Sequence, residues 1–203
     1  MPTYSKFMAC IHVEGEKKLG ILESKKLQSS SVKQIVTKCV ESSTEIDLDN
    51  FSLKELPDDV FLLLRQSKIR KFNVSCNYLS SVPSLISSFV NLTTLNVSTN
   101  RLSTLPRELI GCKQLTSVDI STNNFVEIPS VLFEIETITD INAKGNFIAE
   151  VNEDDVETHD SLEVVNLENN PITPSCRDKL QTISRVKIIL SERKLEEWED
   201  LSI

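Results

Sequence analysis

The chain has 203 residues, enough for one ordinary domain and short for two. Its 30 acidic residues against 22 basic give a formal charge of −8 and a pI near 4.9, which disfavours phosphate-led binding of nucleic acid and polybasic attachment to anionic lipid. With no run of about 18 apolar residues and no secretory h-region, the sequence predicts a cytoplasmic protein without membrane or nucleic-acid partners.

Residues 1–30 match nothing downstream and are expected to be a flexible lead-in. From 31 to 43 the spacing predicts a capping helix. Val32, Ile35, Val36, Cys39 and Val40 recur at i, i+3, i+4, i+7 and i+8, which is one apolar helix face, and Ser30 or Ser31 can serve as N-cap.

Residues 44–173 repeat themselves. Ile69, Leu92, Leu115, Ile138 and Leu162 open successive units spaced by 23, 23, 23 and 24 residues, after an irregular first unit near Thr44. Each follows L-x-x-L-x-L-x-x-N-x-L, from "IRKFNVSCNYL" to "LEVVNLENNPI"; the first unit, "TEIDLDNFSLKELP", has Phe51 where the others carry Asn. Alternation at the fourth and sixth positions predicts a short half-buried strand. A single unit cannot bury its own apolar face, so neighbours must stack. The expected architecture is an α/β solenoid, an arc with a parallel concave sheet of about six strands and helical caps at both ends.

Asn77, Asn100, Asn123, Asn146 and Asn170 stand where each unit leaves its strand, and an amide there can meet backbone groups that the turn would orphan. They are read as a structural ladder. The downstream pairs Leu56-Pro57, Val82-Pro83, Leu105-Pro106 and Ile128-Pro129 begin the convex return. Residues 174–203 read as a C-terminal cap and tail: Thr173 as N-cap, Pro174 at the first helical position, the β-prone run "RVKIIL", and a last helix bearing Leu195 and Trp198. That tail either folds back as part of the cap or projects as a docking helix.

The unit length, the ladder Asn and the "LP" return resemble the intracellular leucine-rich-repeat proteins that act as binding scaffolds. The resemblance covers about residues 31–172. It implies a non-enzymatic protein-interaction module, an adaptor or scaffold in the cytoplasm with a role in signalling, and no catalytic residues to carry over.

The residues agree. There are two histidines, His12 and His159, neither in a nucleophile–base spacing, and no P-loop, H-x-x-x-H or G-x-G-x-x-G. Five cysteines (Cys10, Cys39, Cys76, Cys112, Cys176) are scattered, odd in number and without a C-x-x-C pair, which argues against a disulfide framework or structural zinc. No cofactor or metal is expected. The stretch "EVNEDDVETHD" lacks the ligand spacing of a calcium loop and reads as a solvated convex loop, with docking of a basic partner as the other use.

The remaining surface is the concave face. Outward-pointing positions give a polar trough: Lys71, Asn73, Thr94, Asn96, Ser98, Ser117, Asp119, Ser121 and Asn142. Just after the ladder Asn, Tyr78, Arg101 and Phe147 are residue types enriched in interfaces. These twelve positions are the expected contacts for a protein partner of unknown identity, the chain being monomeric on its own. A structural subunit, held in a larger assembly through its caps or convex side, is the alternative.

Overall fold

The computed structural model describes residues 6–13, 16–23, 44–56, 61 and 68–192. The expected capping helix at 31–43 and the tail helix with Trp198 lie outside them. Within the segment expected to be a flexible lead-in, β1 (Lys6–Val13) and β2 (Glu16–Glu23) form an antiparallel hairpin whose register pairs Val13 with Glu16. It is a sheet of its own.

Seven further strands make one parallel sheet in chain order: β3 (Glu45–Asp47), β4 (Lys71–Asn73), β5 (Thr94–Asn96), β6 (Ser117–Asp119), β7 (Asp140–Asn142), β8 (Val164–Asn166) and β9 (Lys187–Ile189). Six come from the repeats. The seventh comes from the β-prone run after helix α2 (Pro174–Thr182), so the C-terminal segment extends the sheet by a strand. The strands are in strict register, with Ile46, Phe72, Leu95, Val118, Ile141 and Val165 stacked one on the next. All six are buried, each the inward residue of a three-residue strand. Burying a side chain of this size contributes about 1.5–3 kcal/mol, and no unit could do so alone.

One core runs from Ile46 to Val186. At its N-terminal end Phe61, Phe72 and Phe89 form an aromatic plug with ring centroids 5.2–6.0 Å apart. On the convex side Pro83, Pro106 and Pro129, with φ fixed between −56° and −70°, lead into short 3-10 turns at Ser84–Ser88, Arg107–Gly111 and Ser130–Leu132. The first two pack tightly: a Cβ on Gly111 would stand 2.9 Å from that of Ser87.

The acidic stretch is not a loop along its whole length. Glu153–Thr158 form helix α1, with Asn152 as N-cap accepting from Asp154 N. Val156 is buried beneath it, and burying that residue is what folds the stretch. Arg185, standing where the repeats carry Ile or Leu, donates to the carbonyls of Val156, Glu157, His159 and Asp160 at the end of this helix. These carbonyls have no successors in the helix, and a guanidinium suits them.

Candidate functional site

The ladder asparagines bind backbone across units. Asn123 Oδ1 accepts from Leu102 N, one unit back, while its Nδ2 lies 3.0–3.1 Å from the carbonyls of Val97, Ile120 and Ser121. Asn100, Asn146 and Asn170 repeat the pattern. Asn77 takes two donors, Phe51 N and Leu53 N, because the first unit has Phe51 and no amide of its own. The residue before each ladder Asn sits at positive φ, Cys76, Thr99, Thr122, Gly145 and Asn169 all lying between 53° and 68°.

The concave rows stand where alternation puts them. Lys71, Thr94 and Ser117 lie side by side, as do Asn73, Asn96, Asp119 and Asn142 two residues on. Much of the second row is already engaged. Oδ1 of Asp47, Asn73, Asn96, Asp119, Asn142 and Asn166 each accepts from the backbone N–H two residues ahead, at 2.9–3.3 Å. This is the Asx turn, in which the side chain mimics a turn of backbone. The row is a second ladder, and its amides add cross-links from Asn73 to Asp47 and from Asn142 to Asp119. Ser121 Oγ donates to Asp119 and Ser75 Oγ to Asp49. Asn96 Nδ2 and the Ser98 hydroxyl have no partner among the described residues. A third ladder went unread in the sequence: the hydroxyls of Thr93, Thr116 and Thr139 donate to the carbonyls of Arg70, Thr93 and Thr116.

The rim differs from the rows behind it. Tyr78, Arg101, Asn124 and Phe147 donate their backbone N–H to Leu53, Leu79, Leu102 and Phe125, so successive units fix them in a line. Their side chains remain outside. Tyr78 is 48% and Phe147 59% exposed, and the Arg101 guanidinium lies 5.0 Å from the centroid of the Tyr78 ring. That cation–π contact orders both side chains at little cost.

Electrostatics along the concave face is set by pairs near the ends. Lys71 meets Glu45 at 2.8 Å and Lys144 meets Glu168 at 2.9 Å. The hydrogen bond from Lys144 holds the Glu168 carboxyl below its ordinary range. Asp47, Asp49, Asp119 and Asp140 have no cation partner among the described residues. His159 is buried away from this face, with Nε2 donating to Ile135 O at 3.1 Å. Among the described residues no group of three His, Cys, Asp or Glu could hold a metal ion, and no helix is long and apolar enough to cross a membrane.

Comparison with known proteins points the same way. A family model described as leucine rich repeat matches residues 67–125. No curated protein matches the sequence. Among solved structures, an internalin from Listeria monocytogenes superposes with a TM-score of 0.64 at 16% identity, covering 84% of this chain and 47% of its own. A leucine-rich-repeat protein of Leptospira interrogans gives 0.60 at 20%, covering 68% and 34%, and the leucine-rich-repeat domain of APL1B gives 0.56 at 20%, covering 72% and 44%. The chain thus spans a third to a half of the length of these structures. At such identities the likeness establishes the fold, a leucine-rich-repeat solenoid. The curved surface of such solenoids generally serves to bind other proteins.

Proposed function

We propose that this chain is a non-enzymatic intracellular adaptor or scaffold, with a role in signalling, that holds a protein partner on its concave face and rim. The observation that carries the reading is the rim itself. Tyr78, Arg101 and Phe147 stand exposed in one line on a rigid backbone, and such residues contribute most binding energy in interfaces. Behind them, Thr94, Asn96, Ser98 and Ser117 offer polar groups that a partner can meet with hydrogen bonds. Asp119, Ser121, Asn73 and Asn142 are bound up in turns and cross-links, and contribute shape and charge more than free hydrogen bonds.

Site-specific photo-crosslinking tests this directly. A benzoylphenylalanine introduced at Ser98 or Phe147 of the full chain in cells should give a discrete adduct, and one at convex Lys113 should give none. Adducts from Lys113 alone would remove the concave reading and leave that of a subunit held by its outer side.

A further inference from the structure

We propose that the convex side carries a second docking surface, an acidic furrow with an aromatic floor that takes a Lys- and Arg-bearing segment of a protein partner. Three shallow depressions of about 350, 450 and 460 Å³ follow one another there. The first shares Glu127 and Ser130 with the second, and the second shares Phe133 and Asp155 with the third, so they adjoin as a track.

Its chemistry is one-sided. Glu127, Glu136, Asp155 and Asp160 line it without an ion pair among the described residues, while Glu150 accepts from the Thr173 hydroxyl at 2.6 Å and lies in the field of Lys179. The two cations along the track are already taken, Arg107 by Glu134 at 3.6 Å and Lys179 by Glu153 at 2.9 Å. Phe133, half-buried where the second and third depressions meet, offers a ring to a cation.

A second observation, independent of the carboxylates, points to the same class of ligand. His159 lines the last depression and is 8% exposed. Its Nε2 must carry the proton, because it donates to the carbonyl of Ile135. In the neutral ring Nδ1 is then the lone-pair acceptor, and it is buried with no partner among the described residues. A buried acceptor without a donor is costly. Carboxylates and an unprotonated imidazole nitrogen only accept, whereas ammonium and guanidinium groups only donate. The furrow is complementary to a basic segment. Because it is separate from the concave rim, either surface can fail in experiment while the other holds.

The test uses the full chain and a fluorescein-labelled decapeptide of alternating Lys and Ser, with the Glu–Ser decapeptide as its acidic counterpart. Anisotropy is read for wild type, for Glu127→Gln with Asp155→Asn, for Phe133→Leu, and for a charge-matched concave control, Asp49→Asn with Asp140→Asn. The expected result is binding of the basic peptide only, weakened roughly tenfold by the furrow pair and severalfold by Phe133→Leu, with the control within about twofold. The Nδ1 resonance of His159 in ¹⁵N spectra should shift as the peptide is added. Glu127 and Asp155 are exposed, so that pair keeps the test valid even if Phe133→Leu fails to fold. Equal weakening by the control, no preference for the basic peptide, or a His159 resonance that stays still would each overturn the proposal.

Discussion

Two kinds of asparagine share this fold and should differ in energy. Asn123 is buried and bridges four backbone groups, whereas Asn96 is half-buried and accepts one. Asn123→Ala should cost about 1–3 kcal/mol in urea unfolding, and Asn96→Ala about 1 kcal/mol or less. Equal losses would contradict the distinction. Thr122 holds φ at 53°, a conformation that strains a β-branched residue and that Asn adopts more readily. Thr122→Asn should therefore raise stability by about 0.5–1 kcal/mol. Burial pushes the Cys112 thiol up to about 12, so it should resist alkylation at neutral pH until the chain unfolds. The ladder asparagines were legible because one amide recurs once per unit after a fixed apolar pattern. The Asx turns were not, since Asn96 and Ser98 read alike whether the side chain faces a partner or its own backbone.

At the scale of elements, packing between neighbouring returns sets the tolerances. Gly111→Ala would force Ser87 and its backbone to give way, and thermal melting should show a loss of about 1–2 kcal/mol. Helices α1 and α2 are joined by Lys179 and Glu153, and the hydrogen bond from Lys179 holds the Glu153 carboxyl below its ordinary 4.5. A depressed carboxyl stabilises the fold above its unfolded pKa and loses that contribution as pH falls through its folded one. Lys179→Met should thus lower Tm slightly at neutral pH, with the difference vanishing in acid and in high salt. Elements that obey the 23-residue template were readable to the residue, because period-2 burial leaves no freedom of register. Of those that depart from it, helix α2 was legible through Thr173 and Pro174, and the others only in part or not at all. Helix α1 forms because Val156 must be buried under an otherwise polar stretch. Strand β9 was legible as a β-prone run but not as a seventh strand of the sheet, because Arg185 replaces the opening Leu and Arg193 the ladder Asn. The β1–β2 hairpin has no repeat to betray it.

The molecule as a whole is a stack whose interior is committed to cohesion and whose polar side chains lie on its two faces. The sequence made the arc legible, through a repeat that cannot be buried except by its neighbours. It also placed Tyr78, Arg101 and Phe147 at equivalent positions, just after the ladder Asn. What it could not convey is which polar groups are already engaged, because that depends on hydrogen bonds between units some 23 residues apart. The consequence for binding is specific. Substitutions in the Asx row should weaken partners by loosening turns, while substitutions on the rim should remove contacts and leave the fold alone. The most direct measurement is quantitative capture of cellular partners by the full chain and by Tyr78→Ser with Phe147→Ser, both shown to melt within a few degrees of one another. At least one partner held by the wild type should be lost from the rim variant. An unchanged set of partners on a folded variant would contradict that expectation.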